Sequence, residues 1–318
     1  MITKANANLL DMGCPMLSRA KLGTKLLELQ APYIGQRSIF VDATNGSDTT
    51  GTGDWGRPYA SIQAAITDAR GGGAGDIDYD DKSQLTFIYI LPGHYNLTTY
   101  ISLSGYNMWL IGLGTPGGDW GVTINYDRGH DATPSTIVWS GSGNVLYNLF
   151  IKGAGAYPIV YNAAGDNNYI INCMLEGDGS NNTYGIQMDN MESSRIIGNT
   201  IWNVETGGIY IPGGADKYMI NSRIEDNLIR VATAGGKGIF VHGNATAYNS
   251  LIARNNIDVE GAGATGKGID VDSTGNVIVK ENAIVIETGA TAIEHAGHGI
   301  LHNWVSTNGT VTDPFDDD

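Results

Sequence analysis

Ile224-Glu225-Asp226-Asn227-Leu228-Ile229 and, one repeat later, Ile252-Ala253-Arg254-Asn255-Asn256-Ile257 follow one pattern: an apolar residue, an asparagine three later, an apolar residue two beyond that. Working outward in both directions, the asparagine recurs as Asn148, Asn172, Asn199, Asn227, Asn255, Asn282 and Asn303, and subtracting neighbouring positions gives 24, 27, 28, 28, 27 and 21. The residues three before it are Val145, Tyr169, Ile196, Ile224, Ile252, Val279 and Ile300. Those two after it are Phe150, Met174, Ile201, Ile229, Ile257, Ile284 and Val305, so both columns are apolar throughout. A period of this length belongs to stacked coils, in which each repeat buries its apolar face against its neighbours.

An asparagine between two short β-like runs stands where a strand ends and the chain bends. It tolerates unusual backbone angles, and its amide both donates and accepts. At the ~4.8 Å spacing of neighbouring strands, equivalent side chains can bond from coil to coil as a ladder. A second set of strands alternates in the same way: Gly185-Ile186-Gln187-Met188, Gly208-Ile209-Tyr210-Ile211, Gly238-Ile239-Phe240-Val241, Gly268-Ile269-Asp270-Val271 and Ala292-Ile293-Glu294-His295. Period-2 alternation turns the isoleucines inward and Gln187, Tyr210, Phe240, Asp270 and Glu294 outward. The intervening loops vary in length without disturbing the columns, which a solenoid tolerates because loop closure costs little extra per residue. The fold expected is all-β: a right-handed, single-stranded parallel β-helix.

The chain has 318 residues, 42% hydrophobic and 16% charged, enough for one elongated domain plus an appendage. No run approaches the ~20 apolar residues of a membrane span, and the start lacks the features of a secretory signal. Two cysteines in different contexts, Cys14 and Cys173, do not make a disulfide framework. The net charge of −15 opposes general nucleic-acid binding. Its distribution is uneven. Residues 1–36 hold Lys4, Arg19, Lys21 and Lys25 against Asp11 and Glu28, a balance of +2, which leaves −17 on the rest. A basic arm bearing Leu9, Leu10, Met12, Met16, Leu17, Leu26 and Leu27, with a short amphipathic helix expected over Ala20 to Leu29 but interrupted by Gly23, suits docking to an acidic partner.

Three segments divide the chain: an anchoring arm (1–36), the β-helix (37–307) and an acidic tail (308–318). After Ser38-Ile39-Phe40-Val41-Asp42 and a polar, glycine-rich loop comes Arg57-Pro58-Tyr59-Ala60-Ser61-Ile62-Gln63-Ala64-Ala65-Ile66. Ser61 is an N-cap, Ile62, Ala65, Ile66 and Ala69 share a helical face, and Gly71 is a stop, which predicts a helix over about 61–70. Phe87-Ile88-Tyr89-Ile90-Leu91-Pro92-Gly93-His94-Tyr95 then supplies a strand ending in P-G-x-Y. Strand, G-S-D loop, helix and P-G-x-Y together resemble the start of the pectin-lyase-like β-helix superfamily. The resemblance implies that the helix caps the tube. It covers residues 38 to about 305 and is specific for fold, since that superfamily includes polysaccharide lyases and hydrolases, epimerases, adhesins and phage virion proteins.

Gly112-Leu113-Gly114-Thr115-Pro116-Gly117 matches G-x-G-x-x-G, but the strand-like Val122-Thr123-Ile124 follows where a dinucleotide site needs a helix, so it reads as a corner. The outward column Tyr210, Phe240, Asp270 and Glu294 is the candidate ligand-binding set, flanked by Asp189, His242 and Asp272. Tyr210 and Phe240 could stack on sugar faces, and Asp270 with Glu294 could reach the ~5 to 9 Å separation of a glycosidase pair. The same column could equally pack against a neighbouring subunit or face solvent. The calcium-and-arginine constellation of the superfamily's lyases is not recognisable. The Asp42 to Asp54 loop lacks calcium-loop spacing, and His295, His298 and His302 form only a loose zinc candidate, so no catalytic residue, metal or cofactor is assigned.

The function expected is that of a non-catalytic structural protein on a tailed-phage virion, assembled in the host cytoplasm. Its form would be a homotrimeric capsid decoration or cement protein gripping the major capsid protein, or another virion protein, through the arm. No nucleic acid or membrane partner is expected. The alternative is a tail spike or fibre that binds a host surface glycan, or a polysaccharide depolymerase using Asp270 and Glu294.

Overall fold

The computed structural model describes residues 36–312 apart from 71–84, 117–120, 127–134, 154, 180–182, 232, 234, 261–264, 274, 296–298 and 308–309. Residues 1–35 of the arm, residues 308–309 and 313–318 of the acidic tail, and His298 lie outside the described residues, whereas Gln36 and Thr310–Thr312 are strand residues of the β-helix. Short strands wind into a parallel solenoid with three sheets, of 12, 8 and 10 strands; most coils give one strand to each, and two coils give two to the largest, Asn190–Glu192 with Arg195–Ile197 and Tyr218–Ile220 with Arg223–Glu225. Pairing is parallel throughout the described strands except at the C-terminal edge, where Thr310–Thr312 folds back antiparallel on Trp304–Thr307.

Inward residues stack in register and fill the tube. In the 12-stranded sheet Leu110, Leu146, Ile170, Ile196, Ile224, Ile252 and Val279 form one buried column. Val160, Ile186, Ile209, Ile239 and Ile269 form another in the 8-stranded sheet. The tube is so narrow that one inward position admits almost no side chain. A Cβ on Gly185, Gly208 or Gly238 would lie 2.3 Å from Cγ2 of Ile201, Ile229 or Ile257, across the lumen. Ala292 holds the corresponding place in the last coil.

The helix Ile62–Ala69 covers the N-terminal end, where the first layer of strands would otherwise be open. Ser61 Oγ accepts from Ala64 N at 3.1 Å, and Ile62, Ala65 and Ile66 are buried in the tube mouth. Arg37 on the first strand (Gln36–Val41) ion-pairs with Asp68 on the helix. Asp48 Oδ1 accepts from Ala60 N and Ser61 N, and Asp42 from Thr44 N and Asn45 N. The carboxylates of the Asp42 to Asp54 loop are therefore engaged in holding its turns. Tyr95 Oη donates to Leu91 O at 2.8 Å, lies 3.2 Å from Val41 O and accepts from Ala43 N at 3.3 Å, so the P-G-x-Y tyrosine pins the second coil to the first.

The asparagine ladder runs through Asn199, Asn227, Asn255, Asn282 and Asn303, all essentially fully buried. Asn227 shows the unit: its Oδ1 accepts from Asn199 N and Nδ2, while its own Nδ2 donates to Ile196 O and Asn255 Oδ1. The amide's capacity is thus filled inside an apolar tube.

Asn148 and Asn172 are not rungs of this ladder, which corrects the sequence register by one residue. Pairing Met174 with both Phe150 and Thr200 aligns Leu149, Cys173 and Asn199. Asn148 and Asn172 stand one place earlier, in the left-handed region at φ 60° and 52°, in line with Gly198, Asp226, Arg254, Glu281 and His302 at φ between 49° and 67°. Each corner therefore needs two residues, one for the backbone reversal and one for the rung, and asparagine suits both. The ladder starts where Cys173 N donates to Asn199 Oδ1.

A second ladder lies at the other corner of the 12-stranded sheet. Asn144 N donates to Asn168 Oδ1, Asn168 N to Ser194 Oγ, Ser194 N to Ser222 Oγ and Ser222 N to Ser250 Oγ, at 3.0 to 3.1 Å. Each rung again follows a left-handed residue: Gly143, Asn167, Ser193, Asn221 and Asn249.

Candidate functional site

The outer face of the 8-stranded sheet brings the sequence candidates together. Tyr210, Phe240, Asp270 and Glu294 occupy one register position on four successive coils. They differ sharply in environment. Glu294 is 52% exposed at its side chain, whereas that of Asp270 is 0% exposed. Outward on a strand is therefore not the same as facing water, because neighbouring side chains close over Asp270.

Two lysines form that cover. Lys237 and Lys267 precede Phe240 and Asp270 by three residues on their own strands, and pair with each other in register. Lys237 Nζ lies 2.6 Å from Asp270 Oδ2, and Lys267 Nζ lies 3.0 Å from it and 2.9 Å from Glu294 Oε2. Burial acts to raise the pKa of Asp270, but the two ammonium groups and Asp272 outweigh it and hold the carboxyl below its ordinary value. Burial and then the adjacent Asp270 push Asp272 the other way, upward. Burial opposes the charge on Lys267, yet Glu294 and Asp270 raise its pKa above the usual value.

The aromatic residues are stacked on one another. Ring centroids are 4.4 Å apart for Tyr184 and Tyr210 and 5.2 Å for Tyr210 and Phe240, nearly parallel in both cases. Gly207, between Tyr184 and Lys237 in the register, leaves room for the Tyr184 ring, which would touch a Cβ there at 3.2 Å. Lys237 Nζ stands 3.3 Å from the Phe240 ring centroid, closing the other side of the stack as a cation–π contact. His242 follows at 5.6 Å, tilted, its Nδ1 accepting from Asn244 N. The expectation that Phe240 offers a free face to a sugar is thus corrected. Phe240 is only 8% exposed, with Tyr210 on one face and Lys237 against the ring.

Asp189, a flanking candidate, is satisfied in the same manner. It accepts from Tyr161 Oη at 2.9 Å, Gln187 Nε2 at 2.9 Å and Lys217 Nζ at 2.6 Å. Two buried carboxylates on this face are therefore each clamped by cations from the same or adjacent coils. Oxygen atoms of Asp270, Asp272 and Glu294 all lie within 4.8 Å of one another, which is close enough to share a cation, but Lys237 and Lys267 already supply positive charge there.

Other sequence candidates serve the fold. Gly112 O and Gly114 O accept from Asn148 Nδ2 at 2.7 and 2.6 Å, so the G-x-G-x-x-G stretch is a coil corner. His295 Nε2 contacts Val277 O at 3.0 Å, and His302 occupies a left-handed corner position. Lys237 and Lys267 were not singled out from sequence, although Lys237-Gly238-Ile239 and Lys267-Gly268-Ile269 are visible repeats. No helix among the described residues is long and apolar enough to cross a membrane.

The family profile described as right handed beta helix region matches residues 116–284 and 184–312. No curated protein matches the chain. Among solved structures, a pectin methylesterase in complex with a hexasaccharide aligns over 87% of this chain and 91% of its own, at 12% identity and a TM-score of 0.49. Pectate lyase Pel9A aligns over 86% and 78%, at 14% identity and 0.44. ORF18 of Geobacillus virus E2 aligns over 91% and 64%, at 13% identity and 0.31. Likeness at these identities transfers no activity to this chain.

Proposed function

The chain belongs to the family of right-handed β-helix regions, and from that premise we propose that it is a non-catalytic structural protein on the surface of a tailed-phage virion. In this reading it is a homotrimeric capsid decoration or cement protein held by its N-terminal arm. The observation that carries the non-catalytic part is the closure of Asp270 beneath Lys237 and Lys267. A carboxylate that is 0% exposed and kept ionised by two ammonium groups is poorly suited to exchange protons with a substrate.

The charge asymmetry of +2 on residues 1–36 against −17 on the remainder supports anchoring by the arm. Assembly is supported at the other end of the tube. Thr291–His295 ends the 8-stranded sheet, and Leu301 and Trp304 in the last coil are 48% and 49% exposed. Open strand edges beside exposed apolar side chains are surfaces that neighbouring copies can cover. Deleting residues 1–36 tests the arm. The truncated protein should keep its β-sheet circular dichroism and lose incorporation into particles; unchanged incorporation would refute anchoring by the arm.

One observation favours the alternative of a polysaccharide depolymerase: the pKa values of neighbouring Asp270 and Asp272 are pushed in opposite directions, as in acid–base pairs. Incubation with host capsular or O-antigen polysaccharide, scored for reducing ends or unsaturated uronates, separates the readings. New ends that disappear with Asp270→Asn would establish the depolymerase.

A further inference from the structure

Two buried polar atoms inside the tube, one a donor and one an acceptor, occupy neighbouring places without a hydrogen-bonding partner. Trp139 Nε1 can only donate and Asn162 Oδ1 can only accept, and both residues are fully buried. Trp139 ends the strand Ile137–Trp139, Asn162 ends the strand Val160–Asn162, and the two pair in register on adjacent coils. Leu103 and Met188 continue the same inward column on either side. Asn162 thus brings an amide into a column whose only other polar atom is the Trp139 indole nitrogen.

The amide of Asn162 is not free to turn toward the indole. Its Nδ2 donates to Gly165 O at 3.2 Å and to Asn190 O at 3.0 Å, and exchanging its two ends would set Oδ1 against two carbonyl oxygens. Gly165 O also accepts from Asn168 Nδ2 at 3.1 Å, which ties Asn162 to the second ladder. The indole is constrained as well, since Trp139 heads the fully buried side chains in volume and close packing leaves a ring of that size little freedom. The tube is wider at these coils than farther along. Val160 pairs with Ile186, so the fully buried Ile159 holds the place that Gly185 holds one coil later. Buried donors and acceptors that do not reach each other are bridged by ordered water, which makes about two to four hydrogen bonds at such sites. Immobilising one water costs less than leaving two buried orphans.

We infer that one water molecule is bound inside the tube between Trp139 and Asn162, accepting from Nε1–H and donating to Oδ1. It extends the second ladder inward, linking Trp139 through Asn162 and Gly165 to Asn168. The site selects a small neutral molecule that both donates and accepts. The inference concerns the isolated chain and stands whether or not the protein is part of a virion.

Water-to-protein nuclear Overhauser effects on the full chain, with isotopically labelled tryptophan, test it. Trp139→Phe identifies the Trp139 indole signal among those of the six tryptophans by its loss. That indole proton should show a cross-peak to water, of the sign given by a long-lived bound molecule. Asn162→Leu should remove the cross-peak and leave the indole signal in place. A crystal structure of the unaltered chain is the second measurement, should either variant fail to fold, and one solvent peak about 3 Å from both Nε1 and Oδ1 is expected there. Absence of the cross-peak at Trp139 in the unaltered chain would overturn the inference, as would a cross-peak that survives Asn162→Leu. So would a crystal structure with a direct bond from Nε1 to Oδ1, or with no solvent peak near either atom.

Discussion

Replacing Asn227 by leucine, which has the same number of side-chain heavy atoms and no polar group, should destabilise the β-helix more than the same replacement at Asn199, although both are buried rungs of one ladder. Loss of the Asn227 amide leaves Asn199 N–H, one Nδ2 hydrogen of Asn199 and Ile196 C=O without their partners. Asn255 Oδ1 is spared because Asn227 N still donates to it. At about 2 kcal/mol per buried orphan, three orphans cost about 6 kcal/mol, offset by about 2 kcal/mol from burying the leucine, a net loss of about 4 kcal/mol. Asn199 is the first rung. Its replacement orphans only Cys173 N–H and Ile170 C=O, while Asn199 N keeps Asn227 Oδ1. The same arithmetic gives two orphans at about 4 kcal/mol against about 2 kcal/mol, a net loss of about 2 kcal/mol. Urea unfolding followed by circular dichroism, with the slope m compared among variants, measures both losses. An Asn199→Leu cost equal to or above that of Asn227→Leu, or two costs below ~1 kcal/mol, would refute the hydrogen-bond account of the ladder.

Gly238→Ala should lower stability by about 1–3 kcal/mol, because the new methyl meets Ile257 Cγ2 at 2.3 Å and Gly268 O at 2.4 Å with no void to enter. Thermal unfolding checks this, and adding Ile257→Val should recover part of the loss. Asp270→Asn should destabilise at neutral pH. A carboxyl whose folded pKa is depressed contributes stability above its unfolded value of about 4 and loses it as pH falls through the folded pKa. The gap between wild type and variant in pH-dependent unfolding should therefore narrow below about pH 4. Asp272, whose folded pKa is raised, works in the opposite sense, favouring the fold below its unfolded value and opposing it above its folded one. Asp272→Asn should consequently relieve strain at neutral pH, and a variant less stable than wild type there would contradict the assignment.

The coil period was legible because every turn of this tube repeats the same burial problem, so apolar residues return at nearly the same interval. The exact rung was not legible at Asn148 and Asn172. Asparagine satisfies both the left-handed corner and the buried rung that follows it, and only the pairing of Met174 with Thr200 separates the two roles. Ser194, Ser222 and Ser250, evenly spaced along the chain, carried an equally regular signal for the second ladder. Serine is common in loops for many reasons, which hid that signal. At the candidate site, alternation correctly turned Asp270 outward. It could not show that Lys237, one coil away in space and distant in sequence, lies over it. Cross-strand cover is a property of the register, and the register emerges only when the coils are stacked.

Gold labelling of intact phage particles with antibody raised against residues 37–307 tests the structural role most directly. Dense, regular label over the capsid is expected, and it should vanish from particles made with protein lacking residues 1–36. Particles that carry no label, with the protein found only in the unassembled fraction, would contradict a place on the virion.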